Sequence, residues 1–289
     1  RAAIDQPFNW QAALADVTAA DGSTNICREA LDRHLPQHGA RIALRFVSRN
    51  WPKQNDAVQD ISYAQLAALS TRFANALHAL GVQQGEVVFA LAPRIPPLYT
   101  VVLGSLRAGC VFSPLFSAFG PEPIVARISK GAGKVLFTLA SYYRKKVAPV
   151  REQLPSLQHV ILIDDDGSLK DMLGNTPGAI DFHALMAGAS DAPVLAATSA
   201  DDNALMHFTS GTTGKPKGAQ HVHAAVAYHK HSGRFALDLK PDDIFWCTAD
   251  PGWVTGISYG IIAPLVNGCT LLIDEADFQA QRWYEILQS

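Results

Sequence analysis

Eleven residues decide how this sequence is interpreted: Phe208-Thr-Ser-Gly-Thr-Thr-Gly-Lys-Pro-Lys-Gly218, directly behind the apolar run Ala204-Leu-Met-His-Phe208. The segment holds three glycines, four hydroxyl-bearing residues and two lysines. Glycines let the backbone bring its N–H groups close to anionic oxygens, because no Cβ stands in the way. Hydroxyl and ammonium groups supply further donors to phosphate oxygens. The composition therefore predicts a strand followed by a loop that binds polyphosphate, here called the phosphate loop (residues 208–218).

A Walker-type loop is the obvious alternative, and the spacing argues against it. That motif has two glycines separated by four residues, followed by Lys and then Ser or Thr. Here Pro216 lies five positions beyond Gly211, and the Gly214-Lys215 pair is followed by proline rather than by a hydroxyl. A flexible polar surface turn would contain the same residue types but not this order.

The order of residues in the phosphate loop resembles that of the adenylate-forming superfamily, which comprises acyl-CoA synthetases, luciferases and the adenylation domains of peptide synthetases. The resemblance implies catalytic roles for Thr212 and Lys217 and a Mg²⁺ contact at Thr212. It also implies a larger set of residues that bind the ATP phosphates: Thr209, Ser210, Gly211, Thr212, Thr213, Gly214, Lys215, Lys217 and Gly218.

A second motif, Thr248-Ala-Asp-Pro-Gly-Trp-Val-Thr-Gly256, is here called the acyl turn (residues 248–256). It resembles the segment that acetate-CoA ligases of this superfamily carry. The resemblance implies that Trp253, Val254 and Thr255 line the acyl pocket, where a bulky indole leaves room for only a short chain. Steric filling is an effective way to reject longer acids, since each methylene adds only ~1 kcal/mol of binding. The alternative is that Trp253 is an ordinary core aromatic.

The resemblance extends to most of the chain. Phe8-Asn-Trp10 and the segment 25–34 look like the amino-terminal extension of acetyl-CoA synthetases, so we expect an extension over residues 1–60 and the first part of the large AMP-binding domain over 61–289. The loop equivalent to Ser117 and Ala118 approaches CoA in that family, and Arg144 lies in a basic cluster that would meet CoA phosphates. A basic cluster of this kind is otherwise a solvated helix face.

The apolar pattern predicts an α/β fold with layered, doubly wound sheets, as in the large domain of the adenylate-forming enzymes. Residues 62–80 have helical spacing, with a Ser-x-x-Gln capping pattern at the start and a glycine after the end. Apolar runs without polar alternation suit strands covered on both faces. The acidic segment 164–176 is predicted to be an exposed loop. Predicted strands cover residues 87–91, 110–112, 135–138, 160–163, 205–208, 244–248 and 270–273.

Composition excludes several classes of protein. The chain has 289 residues, is 48% hydrophobic and carries a formal charge of −2, which disfavours nucleic acid and anionic membranes as partners. No apolar run reaches the ~18 residues of a spanning helix, and no signal-like segment occupies the first thirty residues, so a cytoplasmic enzyme is predicted. The four cysteines are scattered without a Cys-x-x-Cys pair, which argues against structural zinc or a disulfide framework.

The resemblance implies a reaction in two steps: a carboxylate attacks the α-phosphorus of ATP to give acyl-AMP and pyrophosphate, and the thiol of CoA then displaces AMP. ATP, CoA and Mg²⁺ are the implied cofactors, and acetate is the implied acid. Propionate or another acid, and a noncatalytic nucleotide-binding module, stay open as alternatives. The family's Tyr-Gly-x-Thr-Glu segment, its ribose-binding Asp and its small carboxy-terminal domain with a catalytic Lys are absent before Ser289. We therefore expect an amino-terminal fragment that is inactive by itself; the oligomeric state is left open.

Overall fold

The computed structural model describes residues 8–53, 57–209 and 216–288. In this part of the chain the strands are β1 (Ile42–Val47), β2 (Val58–Ser62), β3 (Val87–Leu91), β4 (Val111–Pro114), β5 (Val135–Leu139), β6 (His159–Ile163), β7 (Ala179–Asp181), β8 (Asn203–Thr209), β9 (Lys217–Val222), β10 (Ile244–Phe245) and β11 (Thr270–Asp274).

Helices cover the faces of the sheets. They are α1 (Trp10–Ala15), α2 (Ile26–Ala30), α3 (Leu35–His38), α4 (Tyr63–Ala79), α5 (Pro96–Arg107), α6 (Pro121–Lys130), α7 (Ala140–Tyr142), α8 (Leu169–Asn175), α9 (Phe182–Gly188), α10 (Ala225–Ala236), α11 (Val254–Ile257), α12 (Ala263–Val266) and α13 (Ala280–Gln288). Two π-helical turns, Tyr143–Val147 and Ser258–Ile262, continue α7 and α11.

The strands form two sheets, which confirms the predicted layered α/β fold. The larger sheet has the order β7-β6-β5-β3-β4-β8-β9 and is parallel except for β9, which runs antiparallel to β8. The smaller sheet has the order β10-β11-β1-β2, with β11 parallel to both of its neighbours. Strand β1 lies within the predicted extension of residues 1–60, yet it pairs with β11 of the following part. The division at residue 60 stays a prediction.

Alternation along the central strands divides the apolar core into two layers. Val88 and Ala90 of β3 belong to a cluster that also contains Leu44 and Leu271 of the smaller sheet, so this layer lies between the two sheets. Phe89 of β3 faces the opposite layer, where α6 and α8 pack. Every residue of β3 and β5 is buried, which explains why these strands are continuous apolar runs in the sequence.

Local signals place helix α4 as predicted. The Ser62 hydroxyl accepts a hydrogen bond from the Gln65 N–H at 3.2 Å, and the Gln65 side chain accepts one from the Ser62 N–H at 2.8 Å, which completes a capping box. Gly81 ends the helix with φ at +75°. The helix buries Leu66 and Phe73 against the layer between the sheets.

Two predicted elements differ from the structure. The predicted acidic loop 164–176 is wrong in its second half, since α8 forms there and buries Leu169 and Met172. The predicted strand 244–248 is shortened to the two residues of β10, which lie at the edge of the smaller sheet and pair only with β11 in the described chain. The rest of that segment leads into the acyl turn.

The amino-terminal segment is tied to the core by buried polar contacts. The Asn25 amide donates to the Leu106 carbonyl at 3.0 Å and to the Thr198 hydroxyl at 3.2 Å. The Ile26 N–H donates to Nδ1 of His223, which follows β9, at 3.1 Å. We call these contacts of Asn25 and Ile26 the amino-terminal anchor. Because Asn25 and His223 are fully buried, each contact satisfies a group that water does not reach.

Candidate active site

Several described residues predicted for the site follow strands whose carboxyl ends lie at one edge of the larger sheet. Strands β3, β4 and β8 are parallel neighbours, so the loops that leave their carboxyl ends meet at this edge. Pairing of Phe112 with Leu205 places the end of β4 beside the end of β8, where the phosphate loop begins. In open α/β sheets, ligands bind in the crevice beyond the carboxyl ends of the strands. The edge is therefore the candidate active site.

The phosphate loop connects β8 to β9, and these two strands pair with each other in antiparallel orientation. Thr209 pairs with Lys217 and Phe208 with Gly218 at the end of this ladder. The side chains of Thr209 and Lys217 are exposed at the base of the loop. Predicted residues outside the described part of the chain are Ser210, Gly211, Thr212, Thr213, Gly214 and Lys215.

The carboxylate of Asp250 binds both the acyl turn and the loop that follows β4. Oδ1 of Asp250 accepts a hydrogen bond from the Gly252 N–H at 2.7 Å, and Oδ2 accepts one from the Ser117 hydroxyl at 2.6 Å. The Trp253 ring lies 5.1 Å from the ring of Phe116, measured between centroids. Asp250 and the indole therefore join the acyl turn of the smaller sheet to the loop that follows β4 of the larger one.

The predicted pocket residues share an exposed position. Trp253 is 50% exposed, which differs from an ordinary core aromatic, and Val254 and Thr255 beside it are exposed as well. Their side chains are thus available to a ligand at the edge of the sheet.

Backbone contact in the acyl turn requires glycine. A Cβ on Gly252 would lie 2.2 Å from the Cα of Phe116, and one on Gly256 would lie 2.2 Å from the Asp250 carbonyl oxygen. Real Cβ atoms do not approach other atoms this closely. Gly252 therefore reflects the close fit of the acyl turn to the loop after β4, and Gly256 reflects the tight packing of the turn on itself.

The residues predicted to bind CoA contact different parts of the structure. Ser117 hydrogen-bonds to the acyl turn, its carbonyl accepts from the Lys146 ammonium, and Ala118 is exposed next to it. Partial burial lowers the pKa of Lys146. Arg144 pairs instead with Asp166 at 2.6 Å on an exposed surface. Of the residues predicted to meet CoA, Ser117 thus hydrogen-bonds to the acyl turn, whereas Arg144 pairs elsewhere.

A polar cavity of about 600 Å³ opens between these loops, lined by Arg94, Phe116, Ser117, Tyr142, Asp250 and others. Sequence reasoning missed Arg94, whose guanidinium donates to three backbone carbonyls of the smaller sheet and its loops. The available signal was an arginine directly after a fully buried strand, in the turn Pro93-Arg-Ile-Pro96. Charged residues at strand ends are candidates for a site at that edge.

Histidines support the base of the phosphate loop. His207 on β8 is 2% exposed, and its ring meets that of His221 on β9 at 5.2 Å in a perpendicular arrangement. Burial, together with the neighbouring His221 and His229, lowers the pKa of His207 to about 4. His207 is therefore neutral at pH 7, which agrees with local packing rather than catalysis.

Residues 8–53, 57–209 and 216–288 lack two features. No three His, Cys, Asp or Glu side chains there converge as a metal site. None of the helices in these ranges is both long enough and apolar enough to cross a membrane.

Comparison with known proteins identifies the family. Residues 31–289 match the family described as AMP-binding enzyme, and the chain belongs to it. The acetyl-coenzyme A synthetase of Bacillus subtilis is 34% identical over 286 residues, which cover 97% of this chain and 47% of that protein. The acetyl-coenzyme A synthetase of Shewanella sp. strain ANA-3 is 33% identical over 266 residues, with coverage of 88% and 40%.

Solved structures agree with the fold. The crystal structure of a Brucella canis acyl-CoA synthetase has a TM-score of 0.83 and 31% identity, covering 97% of this chain and 48% of that one. An anthranilate CoA ligase in complex with anthranoyl-AMP has a TM-score of 0.75 at 19% identity, covering 91% and 46%, and supports the fold alone. The chain thus spans about half the length of the relatives it matches.

Proposed function

We propose that this chain supplies the ATP and acyl sites of an acid–thiol ligase that forms AMP. A carboxylate attacks the α-phosphorus of ATP, the bond to pyrophosphate breaks, and acyl-AMP forms. The thiol of CoA then attacks the acyl carbon and releases AMP. One observation carries the proposal: β4 pairs with the strand that leads into the phosphate loop, and the loop that follows β4 contacts the acyl turn through Phe116 and Ser117.

The phosphate loop would act on the leaving group. Nucleotidyl transfer spreads negative charge over phosphoryl oxygens, so donors aimed at them lower the barrier. The exposed ammonium of Lys217 at the base of the loop suits this role, with Thr209 and the glycines of the loop as further donors. Mg²⁺, proposed near Thr212, would neutralise phosphate charge when bound. Thr212 lies outside the described residues.

Acetate is the proposed acid. Trp253 lies against Phe116, and in this proposal its indole occupies the room that a longer acyl chain would need. Excluding additional methylenes in this way discriminates by roughly 10–200-fold for each group. The printed names of two relatives, acetyl-coenzyme A synthetase, agree with this choice. Propionate is the nearest alternative.

CoA would approach from the side of Ser117 and Ala118, which adjoin the polar cavity. We propose a weaker contribution from Arg144, because its guanidinium is shared with Asp166. The proposed partners are small molecules only, and the proposed location is the cytoplasm.

The complete gene product tests these proposals. Carboxylate-dependent exchange between ATP and pyrophosphate measures the first step for straight-chain acids of two to six carbons, and formation of AMP on adding CoA measures the second. We expect exchange with acetate to exceed that with butyrate. A clear preference for four or more carbons would contradict the acetate proposal. Binding of ATP without exchange for any acid would instead favour a noncatalytic nucleotide-binding module.

A further inference from the structure

Arg94 connects the two sheets at the candidate active site. It lies in the turn between β3 of the larger sheet and helix α5. Its three acceptors lie at the end of β11 or in the segments that follow β10 and β11 in the smaller sheet. Nε donates to the Asp274 carbonyl at 2.9 Å, Nη1 to the Thr248 carbonyl at 3.2 Å and Nη2 to the Ala276 carbonyl at 3.2 Å. Thr248 is the first residue of the acyl turn, and Asp274 is the last residue of β11.

The guanidinium is well suited to this geometry. Its donors lie in one plane at fixed directions, so three carbonyls that bind it are fixed relative to one another. Thr248 and Ala276 lie beyond the ends of β10 and β11, where their carbonyls have left the ladder and need other donors. Hydrogen bonds from a charged donor are also stronger than those between neutral groups.

Two neighbouring arginines pair with carboxylates, unlike Arg94. Arg49 pairs with Glu275 at 3.0 Å, and Arg282 pairs with Asp274 at 2.7 Å. Arg94 has no carboxylate within ion-pair distance in the described part of the chain, so its donors are directed to the backbone. Its side chain also lines the polar cavity between the loops.

We infer that Arg94 is a positioning residue that sets the width of the acyl pocket. Among the described residues, two hydrogen bonds join the acyl turn to loops of the larger sheet, one from Arg94 to Thr248 and one from Ser117 to Asp250. Trp253 follows Asp250, the acceptor of the second, by three residues. Without the first, one of these hydrogen bonds and the packing against Phe116 remain, and the start of the turn is free to shift the indole relative to the bound acid. The inference rests on the proposed function, because it assigns a role in the selection of the acid.

The test compares three variants of the complete gene product: Arg94→Met, Arg94→Lys and, as a matched control, Arg49→Met. The measurement is the ratio of kcat/KM for acetate to that for butyrate in ATP–pyrophosphate exchange. This ratio does not depend on the fraction of folded enzyme, so a merely structural defect leaves it unchanged. We expect Arg94→Met to lower the ratio by about tenfold, the change expected when discrimination worth roughly one methylene is lost.

Arg94→Lys should lower the ratio less, because an ammonium keeps the charge but lacks the planar fork. Arg49→Met should leave the ratio within about twofold of wild type, because Arg49 lines the same cavity but contacts Glu275 rather than the acyl turn. An unchanged ratio in both Arg94 variants, with a wild type that discriminates, overturns the inference. If the Met variant does not fold, the Lys variant decides.

Amide hydrogen exchange separates this inference from the proposed function. Segment 248–256 should exchange faster in Arg94→Met than in wild type, with or without any substrate, and should be unaffected in Arg49→Met. Equal exchange in Arg94→Met and wild type overturns the positioning role. A wild type that shows no exchange of pyrophosphate with any acid overturns the proposed function instead, while the hydrogen-exchange result still decides whether Arg94 holds the turn.

Discussion

The phosphate loop and the acyl turn lie at the same edge of the fold and are held in different ways. The acyl turn is fixed by side chains: Asp250 binds Gly252 and Ser117, and Arg94 binds the carbonyl of Thr248. The phosphate loop is supported at its base by the β8–β9 ladder. In the described residues of that base, one side-chain contact to the rest of the fold is the hydrogen bond from Lys130 to the Pro216 carbonyl at 2.9 Å.

This difference indicates a division of work. A turn whose shape selects one acid must have its geometry before the acid binds, and side-chain contacts to two sheets supply it. A loop that holds phosphates needs exposed donors that the ligand itself can satisfy. We therefore expect changes in the acyl turn to affect stability and selectivity together, and changes at the base of the phosphate loop to affect ATP use with little effect on stability.

Gly252→Ala should give the largest effect. The added Cβ would lie 2.2 Å from the Cα of Phe116, and backbone atoms cannot move aside as a flexible side chain can. We expect a loss of about 3 kcal/mol in the free energy of unfolding, measured by urea denaturation, because overpacking of this kind forces the backbone to shift.

Gly174→Ala is the matched control for that substitution. Gly174 lies in α8 with no atom within 4 Å of an added Cβ, so alanine there should stabilise the protein by up to about 1 kcal/mol through its higher helix propensity. Equal effects of the two substitutions on the free energy of unfolding would show that Gly252 of the acyl turn does not pack closely against Phe116.

Lys217→Ala tests the phosphate loop. We expect kcat/KM for ATP in the complete gene product to fall by about a hundredfold, the usual consequence of removing one well-placed donor to a developing charge. The melting temperature should stay the same, since the side chain is exposed. Lys240→Ala, at an exposed lysine that pairs with Asp238, is the control and should leave kcat/KM for ATP unchanged. A large drop in the melting temperature of Lys217→Ala would contradict the expectation that the base of the phosphate loop contributes less to stability than the acyl turn does.

Asp250→Ala measures how much the acyl turn depends on its carboxylate. The substitution removes two hydrogen bonds, so we expect a loss of about 2 kcal/mol in the free energy of unfolding, against about 1 kcal/mol for Ser117→Ala. The double variant should be less destabilised than the sum of the two, because both remove the same contact. Strict additivity would contradict a direct bond between Ser117 and Asp250 in solution.

His207→Leu tests the base of the phosphate loop through pH. Burial lowers the pKa of His207 to about 4 in the folded protein, below the value of about 6.5 in the unfolded chain. The unfolded state therefore binds more protons as the pH falls from about 6.5 towards 4, and the folded state loses stability over that window.

Replacing the ring by leucine should reduce this loss by about 1 kcal/mol between pH 7.5 and pH 5.5, measured by urea denaturation at the two pH values. The Nε2 atom of His207 has no hydrogen-bond partner among the described residues, so the leucine should cost little at pH 7.5. The same pH dependence in the variant and the wild type would show that His207 is accessible to solvent.

Features with local causes could be predicted from the sequence. Helix α4 follows from its own capping box and apolar spacing, and β3 and β5 follow from continuous burial. Helix α8 was missed because Leu169 and Met172 stabilise it by packing against distant residues, whereas the acidic residues before it dominate the local pattern. Strand β1 of the smaller sheet was missed for the same reason, since it pairs with a strand more than two hundred residues away.

The site shows the same limit. Lys217 and Trp253 could be predicted as site residues because they lie in motifs whose residue types indicate a binding site. Its place after a buried strand marks Arg94 as a candidate, but the role of Arg94 could not be predicted, because its acceptors are backbone carbonyls between 154 and 182 residues away, and a backbone carbonyl carries no signature in a sequence. The antiparallel return of β9 was missed as well, since Lys217–Val222 is mostly exposed and lacks the apolar run that indicates a buried strand.

The amino-terminal anchor restricts how this protein can be shortened. Deleting the first forty residues would leave the Leu106 carbonyl, the Thr198 hydroxyl and the ring of His223 without the donors that Asn25 and Ile26 provide. His223 directly follows β9, so the damage would reach the strand that leaves the phosphate loop. Expression trials and fusion tags should therefore keep this segment intact, and limited proteolysis that cuts within it should loosen a site far along the chain.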